Sequence, residues 1–152
     1  MIIKTFEIGK IKFEKQNFFL VYGENEGLKK EIIQNLKKDF KGNVENYDET
    51  QIVDNKELFF EKIFNQSLFE NEKIIIISRC SEKLYELIED LTDKKISDTK
   101  IILNANILDK KSKLRSLFEK NKELIIVPTY KDTSLALVEI AKKFFYNYKI
   151  SI

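Results

Sequence analysis

The sequence predicts an α/β domain built on a mainly parallel, five-stranded sheet. Short apolar runs alternate along the chain with longer stretches whose apolar residues recur at helical spacing. The short runs are continuously apolar and do not alternate with polar residues, the pattern of strands covered on both faces. The chain has 152 residues, enough for one domain with a sizeable core.

The elements follow in order. The amino-terminal MIIKTFEIGKIKF alternates apolar with polar residues and is expected to add an edge hairpin or ribbon. Asn17–Tyr22 (NFFLVY) is a buried strand, and Gly27–Phe40 follows as a helix carrying Leu28, Ile32, Ile33 and Leu36 on one side. Asn43–Tyr47 is a short second strand, after which Asp54 is placed to cap a helix with Leu58, Phe59, Ile63 and Phe64 inward. Lys73–Ser78 (KIIIIS) is the strongest strand. Ser81 and Glu82 open a helix reaching about Leu91, with Leu84, Leu87, Ile88 and Leu91 inward. Thr99–Ala105 is the fourth strand, Asp109–Lys120 a helix using Leu114, Leu117 and Phe118, and Glu123–Pro128 the fifth strand. A last helix runs from Asp132 to about Tyr148, and the tail FFYNYKISI places a domain boundary near residue 143.

Composition removes several kinds of chemistry. With 27 Lys and Arg against 25 Asp and Glu the net charge is only +2, so no bulk electrostatic attraction to nucleic acid or an acidic membrane is expected. The absence of His excludes imidazole acid/base catalysis, Ser-His-Asp and Cys-His nucleophiles and nearly every zinc site, leaving carboxylate, Lys or Tyr chemistry. One cysteine, no secretory signal and no apolar stretch approaching the ~18 residues of a membrane span lead to the expectation of a soluble protein in a reducing cytoplasm.

The stretch VYGENEGLKKEII, from Val21 to Ile33, sits between a strand and a helix, where a phosphate-binding loop would sit. Such a loop reads G-x-x-x-x-G-K-[ST]: glycines let backbone N–H groups close on phosphate, the Lys reaches the β/γ-phosphates and the hydroxyl binds magnesium. Aligned on Gly23, the frame puts Leu28 at the second Gly, Lys29 at the Lys and Lys30 at the Ser/Thr. Leu28 adds bulk where backbone must approach phosphate, and Lys30 puts an ammonium where a metal ligand belongs. Gly23 and Gly27 do not fit the dinucleotide fingerprint G-x-G-x-x-G either, and read as turn glycines before a helix. The site is therefore a degenerate nucleotide loop, not expected to bind. An active nucleotide enzyme would also need a carboxylate closing a central strand, but Ser78-Arg79-Cys80 follows the Ile run. Asn104, after the next strand, reads more simply as a turn former. No metal and no cofactor are expected.

Two clusters remain. Lys110, Lys111, Lys113, Arg115, Lys120 and Lys122 could track phosphates or form a solvated helix face. In NQSLFENEK, Leu68 and Phe69 stand between polar Gln66-Ser67 and acidic Glu70, just before the central strand. Leu68 lies four residues after Phe64, so the preceding helix could run on and bury both. Alternatively they form an exposed anchor for a partner's pocket.

Three stretches, FFLVYGENEGLKKEII, SLFENEKIIIISR and KIILNANILDKKSKLRSLFEK, give the chain a resemblance over nearly its whole length to the N-terminal domain of the bacterial DNA polymerase III delta subunit. That is the clamp-loader family. The resemblance implies an AAA+-like (P-loop NTPase-type) three-layer domain over residues 1–143 that does not bind ATP, with 144–152 opening a following lid-type domain. It implies no catalysis within this domain, although the holoenzyme that such subunits serve is a DNA-directed nucleotidyltransferase. A Leu-Phe pair following Ser is that family's clamp-binding element, which carries over onto Leu68 and Phe69 with Ser67 and Gln66 flanking, though an apolar residue is familiar at the Gln66 position. The implied partners are the beta sliding clamp and, through further domains, the other clamp-loader subunits, with DNA contacted only indirectly or weakly and no membrane. Ser78-Arg79-Cys80 matches the letters around the arginine finger of clamp-loader ATPase subunits but follows the third strand, not the sensor strand, and is taken as chance. The alternative reading is an active P-loop NTPase or nucleotide kinase using Lys29.

Overall fold

The computed structural model describes residues 1–64, 72–94, 96 and 98–129. The last expected helix, the domain boundary near residue 143 and the segment holding Gln66, Ser67, Leu68 and Phe69 lie outside the described residues.

Among the described residues, five strands form one sheet: β1 (Phe18–Gly23), β2 (Asn43–Asp48), β3 (Lys73–Cys80), β4 (Thr99–Ala105) and β5 (Leu124–Thr129). Their order is β2-β3-β4-β1-β5, and every pairing is parallel. Among the described residues, five α-helices connect the strands: α1 (Glu26–Lys37), α2 (Glu49–Val53), α3 (Lys56–Phe64), α4 (Tyr85–Asp93) and α5 (Lys113–Lys120). After β1 the chain crosses to the far edge at β2, then returns through β3 and β4 and passes β1 to reach β5. Right-handed crossovers put the helix of the outward step on one face and those of the return on the other.

The core divides accordingly. Phe19, Val21, Ile74, Ile76, Ile102, Ile125 and Val127 pack with Ile32, Ile33 and Leu36 of α1. Phe18, Leu20, Ile75, Ile77, Ile101, Leu103 and Ile126 pack with Phe59 and Ile63 of α3, Leu87, Ile88 and Leu91 of α4, and Leu114 and Phe118 of α5. Consecutive Ile residues of β3 thus serve opposite cores, which is why that strand is continuously apolar. The arrangement is compatible with a three-layer fold.

Four sequence expectations change. The amino-terminal segment is no hairpin: Thr5–Lys10 and Phe13–Lys15 are 3-10 turns, and only Ile2 bridges, in parallel, to Ile126 of β5. Its apolar residues Ile3, Ile8, Ile11 and Phe13 cover the α1 face of the core without joining the sheet as a hairpin. Asp54 closes α2 at its C-terminal end, whereas Asp48 caps the start of α2, with Gln51 completing a capping box. Of the four apolar residues assigned inward on α3, Phe59 and Ile63 are buried one turn apart, while Leu58 and Phe64 are exposed. The α5 helix also starts later than expected, at Lys113, because Ser112 caps it through a bond from the Arg115 N–H.

Candidate functional site

In an open parallel sheet, ligands settle outside the carboxyl ends of strands where the direction of connection reverses. Here that place is the crevice beyond β1 and β4, and the β1–α1 turn closes it from within. Gly23 ends β1 with φ +128° and donates its N–H to the Asn106 carbonyl at 3.0 Å. Only Glu24 and Asn25 separate it from α1. Asn25 is the N-cap: its Oδ1 accepts the Leu28 N–H at 3.1 Å and its carbonyl accepts the Lys29 N–H at 3.0 Å. Glu26 and Gly27 are already helical, so Gly27 is not a turn residue and the turn is too short to wrap around a phosphate.

Lys29 occupies an inward position. Its side chain is 0% exposed, and Nζ donates to the Ala105 carbonyl at 2.9 Å and to Glu26 Oε1 at 2.8 Å. The ammonium that would reach a phosphate instead ties α1 to the end of β4. Glu26, 71% exposed, sets its carboxylate at the N-terminus of α1, where negative charge is favoured and where a phosphate would have sat. Leu28 is half-buried against the α1 side of the core and Lys30 is exposed. Gly23, Gly27, Leu28, Lys29 and Lys30 thus form a helix start closed by its own side chains.

Beside this turn, a cleft of about 540 Å³ opens at the ends of β2, β3 and β4, lined by Tyr47, Gln51, Arg79, Asn104 and Asn106 among others. Asn104 belongs to β4 itself, paired with Val21, and is not a turn residue. Arg79 lies on a bulge: Ile77 pairs with Leu103 and Cys80 with Ala105, three steps on β3 against two on β4. The bulge holds Arg79 at φ 56°, the only positive φ outside glycine among the described residues. Its Nε donates to Asp48 Oδ1 at 2.5 Å. That bond, with a second from the Thr50 hydroxyl, holds the Asp48 carboxyl below its usual 3.8. A depressed carboxyl favours the fold above its unfolded value and loses that contribution as pH falls through the folded one. Carbon-13 titration of Asp48 is expected to show the lowered midpoint in the wild type and a return toward 3.8 in Arg79→Gln.

Glu49 is buried and accepts from the Ser81 N–H at 2.7 Å and the Ser81 hydroxyl at 2.8 Å. The acids that sequence reasoning missed at this edge, Glu26, Asp48 and Glu49, therefore come from α1, β2 and α2, and each is bound within the chain. The only hint in the sequence was Asp48 three residues before Gln51, a capping-box spacing. Among the described residues no three His, Cys, Asp or Glu side chains gather to hold a metal. Cys80 is buried with Sγ 3.0 Å from the Ile77 carbonyl, and burial, with Glu49 nearby, pushes its thiol up, away from nucleophilic use.

The lysine cluster is only partly brought together. Lys111, Lys113, Lys120 and Lys122 edge one concavity beside Tyr85. Arg115 leaves it, donating to Glu119 and to the Leu108 carbonyl. Acids interleave the rest: the Tyr85 phenol is raised by a hydrogen bond to Glu89, with Glu82 and Glu86 close enough to add to the effect. Glu82 also accepts from Ser112 and from the Lys113 N–H at the start of α5.

The element carrying Leu68 and Phe69 is framed by described neighbours, α3 ending at Phe64 and β3 beginning at Lys73. Lys73 Nζ donates to the Lys62 carbonyl at 3.3 Å, fastening the two ends to one another. The chain matches no protein-family model and no curated protein.

Proposed function

We propose that this chain is a noncatalytic adaptor domain of AAA+ type, and more particularly a clamp-loader delta-type domain that binds the beta sliding clamp and favours its open form. The observation that carries the reading is the state of Lys29. A sheet in the order β5-β1-β4-β3-β2 is in keeping with a nucleotide-binding ancestry, yet the lysine at the loop position is buried and spent on Ala105 and Glu26. A domain that keeps the scaffold and closes the site has protein binding left as its work. The sequence resemblance supplies the partner, with Leu68 and Phe69 as anchors and Ser67 and Gln66 beside them. Opening follows from differential affinity: a ligand shifts an equilibrium only by its preference between states. ATP enters through neighbouring subunits.

Titrating the chain against the sliding clamp of its source organism tests the proposal directly. Saturable binding is expected, and its absence would sink the reading. Calorimetry with magnesium-ATP is expected to be flat to millimolar concentration, because displacing Lys29 would strip the Ala105 carbonyl of its ammonium partner and expose Glu26 to phosphate. Micromolar saturation would restore the P-loop enzyme alternative.

A further inference from the structure

We infer a ligand site at the amino ends of β1, β3 and β4, the opposite end of the strands from the crevice above. It takes a small amphipathic carboxylate, with the apolar body against the amino-terminal segment and α1 and the anionic head on Lys100. The inference does not depend on the clamp reading.

The cavity measures about 910 Å³, within the ~300–1,000 Å³ usual for small-molecule sites. Its apolar lining comes from two sides: Ile8, Ile11 and Phe13 from the amino-terminal segment, Leu36 from α1 and Phe40 from the chain just beyond that helix. Leu36 is buried, whereas Ile8, Ile11, Phe13 and Phe40 pack on the core yet stay half-buried. That leaves apolar surface for a ligand to cover.

Lys100, the second residue of β4, also lines the cavity and is only 5% exposed. Its Nζ donates to the Phe13 carbonyl at 2.6 Å and to the Gln16 carbonyl at 2.8 Å, and lies 4.7 Å from the centroid of the Phe13 ring. An ammonium carries three N–H donors, so one remains. Among the described residues no carboxylate forms an ion pair with it. Glu72 and Glu14 are near enough to favour its charge, but burial outweighs them and pushes the ammonium below its ordinary value. A buried cation with no bonded anion is a costly arrangement, which an incoming carboxylate relieves. The exposed rim cancels, with Lys12, Lys15 and Lys41 against Glu14, Asp39 and Glu72, and Lys100 supplies the excess positive charge. One remaining donor serves a single carboxylate oxygen; a phosphate group brings three strong acceptors to satisfy.

The test titrates the full chain with octanoate and with 1-octanol, its neutral counterpart of equal length, while following Ile and Leu methyl signals. Octanoate is expected to bind saturably, to shift the methyls of Ile8, Ile11 and Leu36 but not that of Ile107 beyond the carboxyl end of β4, and to bind about ten- to a hundredfold more tightly than octanol. Lys100→Met keeps the length and the apolar stem, and in it the preference is expected to vanish with octanol affinity unchanged. Equal affinities in the wild type would overturn the inference, as would no saturation by millimolar octanoate or shifts confined to residues outside the cavity. A preference that survives Lys100→Met while the thermal midpoint falls would reduce Lys100 to a strap for the amino-terminal segment. Should that variant fail to fold, having released two carbonyls, the wild-type comparison of the two probes decides alone.

Discussion

Replacing Leu68 and Phe69 together with alanine is expected to weaken clamp binding by about 4 kcal/mol, a factor on the order of a thousand. Full burial of one such side chain contributes about 1.5–3 kcal/mol, and central anchors often cost 2 or more when truncated. The two are adjacent and non-additivity could trim the sum. The same variant is expected to melt within about 2 °C of the wild type, because an anchor that meets its pocket only in the complex contributes little to the free fold. That second measurement separates the hypotheses. Were both side chains core residues continuing the inward side of α3, their loss would open a cavity and lower stability by several kcal/mol. A large fall in the midpoint with unchanged clamp affinity would return Leu68 and Phe69 to the core and remove the proposed interface.

How far the fold was legible depended on how many forces acted on each segment at once. The inner strands were plain because burial on two faces fills them with apolar residues, as in Ile74–Ile77. Helix α4 was plain because Leu84, Leu87, Ile88 and Leu91 keep one spacing through the 3-10 turn and the α-helix. By contrast α2 spans five residues, too few for a period to declare itself, and its signal lay in the Asp48 cap alone. The amino-terminal segment misled because it covers a core without joining the sheet. At the site, the departures from a phosphate-loop pattern were readable at Leu28 and Lys30, and the inward place of Lys29 nearly so. Lys29, Ile32, Ile33 and Leu36 are spaced i, i+3, i+4, i+7, a stripe in which the lysine takes an inward place. What no local pattern could give was the partner at the end of that side chain, a carbonyl 76 residues away. Nor could it give the bulge that turns Arg79 toward Asp48, since both depend on the register of neighbouring strands.

The two glycines of the β1–α1 turn are expected to respond to alanine with opposite signs. At Gly23 a Cβ would lie 1.8 Å from the Thr129 carbonyl oxygen and 2.5 Å from its hydroxyl, at a φ of +128° that L side chains rarely adopt. Neither partner can retreat: Gly23 is in register with Thr129 in a buried pairing, and the Thr129 hydroxyl donates to the Tyr22 carbonyl at 2.8 Å. Backbone strain of about 1–3 kcal/mol adds to a steric term of similar size, so Gly23→Ala is expected to cost at least about 3 kcal/mol. That is a large share of a total stability of about 5–15 kcal/mol, and the midpoint should fall by roughly 10 °C. Gly27 is exposed in the first turn of α1, and an added Cβ would meet nothing nearer than Asn25 Oδ1 at 3.8 Å. Alanine there removes a flexible residue from a helix and is expected to stabilise by up to about 0.5–1 kcal/mol. Urea and thermal denaturation of both variants decide the matter. A Gly27→Ala variant as damaged as Gly23→Ala would mean that the backbone at Gly27 needs freedom or close approach. The reading of Gly27 as the second residue of a self-capped helix would then fail.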